Sequence, residues 1–114
     1  MMHFVRINGV TAAARQTVVS ELSEAITAGG GWIVDHHLYS DLSLCIVFQA
    51  PISDLRELWR GLCALPVRFS EDSTAAVAAL IERADPNGGE VTGTLEAFTR
   101  GTGDLRRVVP EVPG

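Results

Sequence analysis

Hydrophobic and polar residues alternate along "HFVRIN", residues 3–8, and Asn8-Gly9 follows as a turn signal. This predicts a first strand. The period then changes. Ala14, Val18, Leu22 and Ile26 recur at four-residue steps with Val19 and Ala25 beside them, while Arg15, Glu21 and Glu24 fall off the stripe. One apolar stripe of that kind predicts an amphipathic helix, with Thr11 available to cap it. The helix is expected to stop at Gly29, Gly30 and Gly31, since glycine adopts the left-handed conformation of a helix end at low cost.

Alternation resumes in "WIVDHHLY" and, after Ser40-Asp41, in "LSLCIVFQ". Strands joined this closely pair antiparallel as a hairpin. Pro51 ends the third strand. Ser53 is placed to cap a second helix, "SDLRELWRGLCAL", with Leu55, Leu58, Leu62 and Leu65 on one face, and "PVRFSED" reads as a fourth strand. To residue 72 the order is strand, helix, strand, strand, helix, strand, the split βαβ pattern of a ferredoxin-like fold. Residues 73–84 predict a third helix with Ala75, Val77, Leu80, Ile81 and Ala84 on its packing surface. "VTGTLEAFT" and "LRRVVPEV" flank "RGTGD" and read as a second hairpin. The expected architecture is α+β: a ferredoxin-like βαββαβ antiparallel sheet with helices on one face, plus a C-terminal helix and β-hairpin extension. One domain is expected over residues 1–114, with the core in 1–72 and the extension in 73–114.

Strand alternation also bears on the adjacent His36 and His37. Neighbours on a strand point to opposite faces. Trp32, Val34, His36 and Leu38 are expected to face the helices, and Ile33, Asp35, His37 and Tyr39 the other side. The two histidines then cannot reach one metal ion, and no spacing of cysteines or carboxylates completes a metal motif. No metal and no cofactor are expected. The face opposite the helices collects Phe4, Arg6, Asn8, Ile33, Asp35, His37, Tyr39, Ser43, Cys45, Val47 and Gln49. That mixture is too apolar for a bare face and too polar for a deep core, so a C-terminal hairpin or a second subunit is expected to cover it. Arg6 and Asp35 are candidates to pair there.

Composition narrows the function classes. The 114 residues are enough to bury a core without disulfides. The net charge of -5 argues against a nucleic-acid partner, because phosphate backbones need clustered cations. There is no lysine, which excludes Schiff-base chemistry and a P-loop lysine. Two cysteines make no disulfide framework. No apolar run reaches the roughly 20 residues of a membrane helix, and a cytoplasmic protein without membrane partners is expected. Cys45 and His37 share a face, but nothing around them activates a nucleophile.

Residues 3–71 resemble the ACT domain family of small ligand-sensing regulatory modules. The likeness rests on "INGVTAAARQTVVSELSEAI", "AGGGWIVDHHLYSDLSLCIVFQAP" and "DLRELWRGLCALPVRFS". It implies a non-catalytic homodimer that holds an amino-acid-like ligand between the first loop of one subunit and the second strand of its neighbour. Carried over, the ligand-binding residues are Asn8, Gly9, Val10 and Thr11 of the loop and Asp35 of the strand. Backbone N–H groups at a helix start attract a carboxylate, and the aspartate suits an ammonium group. Where the family has an acidic residue followed by Pro-Gly, this chain has Asn8-Gly9-Val10, so a purely structural dimerisation module fits the same pattern. An acylphosphatase-like hydrolase is the enzymatic alternative, with "NGVTAAAR" and "GGWIVD" echoing its two signatures and Arg15 in the phosphate-holding role.

Overall fold

The computed structural model describes residues 2–40, 43–83 and 88–99. The elements are β1 (Met2–Thr11), α1 (Arg15–Ala28), β2 (Trp32–Ser40), β3 (Ser43–Pro51), a short 3-10 turn (Ile52–Asp54), α2 (Leu55–Cys63), β4 (Arg68–Phe69), α3 (Glu71–Arg83) and β5 (Glu90–Thr99). They build an α+β fold with one five-stranded mixed sheet in the order β2-β3-β5-β1-β4.

The position of β5 departs from the expected architecture. Residues 90–99 are not an appendage but the middle of the sheet, parallel to β1 and antiparallel to β3. A ferredoxin-like order has no strand between β1 and β3; here β5 separates them. Its alternation explains why it fits: Val91, Gly93, Leu95, Ala97 and Thr99 are buried, and the residues between them, Phe98 apart, are half-buried. Both edges of β5 are occupied almost end to end, and the expected partner strand "LRRVVPEV" is not among the described strands that pair with it. That second strand lies outside the described residues, as do Asp41 of the expected turn and Ala84 of the third helix.

One face of the sheet is dry. Val5 and Ile7 of β1, Leu44, Ile46 and Phe48 of β3, and Val91 and Leu95 of β5 pack with Val18, Leu22 and Ile26 of α1 and with Leu55, Leu58 and Leu62 of α2. These are the stripes read from the sequence. Phe48 lies across Gly93, its register partner; a Cβ there would come 2.3 Å from the ring. The missing side chain is therefore what admits the phenylalanine.

α1 ends as the glycines require. The N–H of Gly29 is donated to the carbonyl of Ala25, and Gly30 has φ +100°, a conformation strained for any side chain. Its start differs from the expectation. Ala14 precedes the helix without a side-chain cap, and Thr11 instead closes β1: its Oγ1 accepts from the Ala13 N–H at 3.1 Å and donates to the Pro66 carbonyl at 2.7 Å. Ser53, likewise, lies within the 3-10 turn and does not cap α2.

β4 pairs with only Gly9 and Val10 of β1. Further along that edge α3 takes over. The Asn8 N–H donates to Ser73 Oγ at 2.7 Å, and the Asn8 carbonyl accepts from the Ser70 N–H at 2.9 Å. Val77 and Leu80 of α3 enter the core, and Ile81 packs half-buried against it, while Ala75 is exposed. No helix among the described residues is long and apolar enough to cross a membrane.

Candidate functional site

The opposite face of the sheet carries no described element, and it gathers most of the polar and aromatic residues singled out in the sequence. Its membership follows from the register. Trp32 pairs with Gln49, Gln49 with Thr92, and Thr92 with Phe4, making one row across four strands. The next row is Asp35, Val47, Thr94 and Arg6, and the third is His37, Cys45, Glu96 and Asn8. The last runs from Ser40 through Ser43, Phe98 and Val10 to Arg68, with Tyr39 in the register shift just before Ser40.

A bulge corrects one part of the expected face assignment. The β2–β3 register shifts between Ile33 and Asp35, leaving Val34 unpaired. One extra residue reverses the alternation before it. Trp32 therefore joins the open face, and Ile33, opposite buried Phe48, packs against the core. Beyond the bulge the assignment stands: Asp35 and His37 are on the open face, and His36 and Leu38 turn to the helix side opposite Ile46 and Leu44. A second irregularity between Leu38 and Ser40 displaces Tyr39. β2 is an edge strand, and His36 and Leu38 are exposed although their partners Ile46 and Leu44 are buried.

The polar groups form two linked sets. Trp32 Nε1 donates to Gln49 Oε1 at 3.3 Å, and Gln49 Nε2 donates to Thr92 Oγ1 at 3.2 Å. His37 Nε2 lies 3.1 Å from Asp35 Oδ2, while Asp35 Oδ1 accepts the His36 backbone N–H at 2.8 Å. The His37 and Tyr39 rings stack with centroids 6.1 Å apart. Cys45, opposite His37, is buried, and burial is the main reason its thiol pKa is raised; nearby Glu96 adds to this, a hydrogen bond with Tyr39 and the charge of Arg6 oppose it, and Asp35 contributes a little in the raising direction. A neutral thiol is a poor nucleophile. Cys63, on α2, is also raised by desolvation.

The five residues implied to bind a ligand do not form one site within the chain. Asn8, Gly9, Val10 and Thr11 are the end of β1, not a loop, because β4 and β5 both pair with them. Their side chains alternate: Asn8 and Val10 face the open side, and Gly9 and Thr11 are buried. The Asn8 N–H is already donated to Ser73. Gly9 is pressed against β4, where an added Cβ would lie 2.8 Å from Val67 Cγ1. Val10, Thr11 and Ala12 do line one wall of a cleft of about 650 Å³, with Leu65, Val67 and Arg68 opposite. Asp35 stands across the sheet, on β2. The expected Arg6–Asp35 pair is likewise absent within the subunit. The two share a row, but two strands separate them, roughly 14 Å at the usual strand spacing, and His37 is the partner of Asp35.

What sequence reasoning missed on this face is β5, which adds Thr92, Thr94, Glu96 and Phe98. Their alternation with buried neighbours was legible, but nothing local says which strands they join. Among the described residues no group of three or more His, Cys, Asp and Glu side chains is placed to hold a metal ion. No family model matches the chain, and no curated protein or solved structure matches it.

Proposed function

We propose that this chain is a non-catalytic assembly module of regulatory type that acts by laying its open sheet face against a second copy of itself. One observation carries the reading. Phe4, Val10, Trp32, Tyr39 and Phe98 are all on this face and all exposed, Phe4 at 74% and Tyr39 at 65%. On the dry face Ile7, Leu44, Ile46, Phe48 and Leu95 are wholly covered, and only Leu38, on the edge strand, is exposed. Exposed apolar residues scattered singly need no explanation, whereas several on one pleated surface with polar residues between them mark an interaction site. Aromatic residues with interspersed arginine and amide groups are also the composition of interface cores.

The size of the face suits the purpose. Four long strands about 4.8 Å apart and about 30 Å in length offer roughly 600 Å² per subunit. A symmetric pair would bury on the order of 1,200 Å², the lower end of specific, stable interfaces. The chemistry of the face supports binding over catalysis: its buried thiol is held neutral, and its histidine and aspartate engage each other in the open. The amino-acid sensing implied by the ACT resemblance has narrower support, resting on Asp35 and on the cleft beside Val10 and Thr11. The acylphosphatase-like alternative has no observation in its favour.

Sedimentation equilibrium of the full chain tests the reading. A mass twice that of the chain, returning to one on Phe98→Glu without loss of the folded circular-dichroism spectrum, supports it. A monomer at all attainable concentrations would sink it.

A further inference from the structure

The rows of the open face are complementary to themselves, and this specifies how two copies would meet. We infer that the subunits pair about a two-fold axis running parallel to the strands, between β3 and β5, so that Asp35 of each subunit meets the partner's Arg6. The inference rests on the self-association proposed above and adds its register.

A two-fold axis along the strands keeps each row at its own height and exchanges its two ends. Between β3 and β5 the axis has two long strands on either side. In the first row Trp32 is then set over the partner's Phe4. In the second, Asp35 is set over the partner's Arg6, and in the last, the Tyr39–Ser40 end of β2 lies over the partner's Val10. Every contact occurs twice. Three of them join groups that suit one another: aromatic with aromatic, carboxylate with guanidinium, phenol with aliphatic; the third row sets His37 over the partner's Asn8 and Cys45 over the partner's Glu96. The exchange works because the acid and the base stand at opposite ends of one row, equally far from its middle. Within its own subunit Arg6 forms no salt bridge with a described residue.

Real sheets twist, and stacked sheets cross at about 30°. At roughly 7 Å from the axis, one and a half strand spacings, that crossing displaces facing residues by only some 4 Å. Arginine, tryptophan and tyrosine side chains reach across such an offset. The other two-fold that leaves the face self-covered runs perpendicular to the strands. It would set Arg6 over Asn8, with the partner's Glu96 one strand aside, and Asp35 over His37, so that no carboxylate lies directly opposite either arginine. The charge pattern therefore selects the first axis.

Charge reversal on the full-length chain tests the register. Arg6→Glu and Asp35→Arg each place like charges in contact twice per dimer, and each is expected to raise the dimer dissociation constant at least tenfold in sedimentation velocity at low salt. The double variant R6E/D35R restores opposite charges and is expected to return to within about threefold of the wild type. Both side chains are exposed, so all three variants should keep the wild-type circular-dichroism spectrum and, below the dimer dissociation constant, the melting temperature of the monomer. A dimer that ignores the single reversals, or loses affinity without rescue in the double variant, overturns the axis and leaves self-association standing. A wild-type chain that is monomeric overturns both.

Discussion

Phe48 and Phe98 sit on opposite faces of one sheet, and their surroundings could hardly differ more. Phe48 is fully buried, flat on Gly93 and closed over by the helices. Phe98 is 50% exposed, flanked in register by Ser43 and Val10. The same residue type thus serves two ends. One face is complete within the subunit, because three helices bring leucine, isoleucine and valine stripes to it. The other carries aromatic residues that the described part of the subunit leaves uncovered. The difference teaches that core-like composition on a strand does not imply a core partner in the same chain.

The dry face should break hardest. Phe48→Ala removes the largest fully buried side chain and leaves a cavity, which is expected to cost about 3–5 kcal/mol in denaturant unfolding. Leu22→Ala, from the middle of the α1 stripe, should cost about 2–5 kcal/mol by the same measurement. Gly93→Ala sharpens the contrast from the other side: the new methyl group has to push the Phe48 ring away, for a loss of about 1–3 kcal/mol.

Phe98→Ala should leave the stability of the monomer within about 0.5 kcal/mol of wild type, while weakening self-association measurably in sedimentation velocity. The two thiols divide in the same manner. Cys63 is exposed and Cys45 buried, so limiting iodoacetamide at neutral pH should label Cys63 first, as read by peptide mass. Both thiol pKa values are raised in the fold. A raised pKa favours the folded state fully below the unfolded thiol's pKa, and that stability is lost as pH climbs through the folded value. The melting temperature should accordingly begin to drop only on the alkaline side.

Much of this contrast was legible in the sequence, and what was not has a physical reason. The stripes Val18-Leu22-Ile26 and Leu55-Leu58-Leu62 face the core as their spacing predicts, since a helix's buried face depends on local periodicity alone. The open side was also foreseen for Phe4, Arg6, Asp35, His37 and Cys45. Trp32 and Ile33 were exchanged because a bulge at Val34 is one inserted residue, and nothing in "WIVDHH" marks it as different from plain alternation. The place of β5 was not legible either. Met2 pairs with Glu90 across nearly the whole chain, and such pairing is decided by the sheet, not by the neighbours of either residue. Of the candidate ligand residues, Asn8 to Thr11 are expected in a loop because Asn-Gly is a turn signal. The structure shows a strand that passes straight through Gly9 because Val67 and Phe69 fill the space of a side chain there.

Trp32 offers the most direct test of the claim that the open face closes on a second copy. It is 40% exposed in the isolated subunit, and in a Trp59→Phe background it becomes the sole fluorescent indole. The account predicts that its emission shifts to the blue and its quenching by acrylamide falls as protein concentration rises through the dimer dissociation constant. Emission and quenching that stay constant while the mass doubles would place the contact elsewhere and contradict the account.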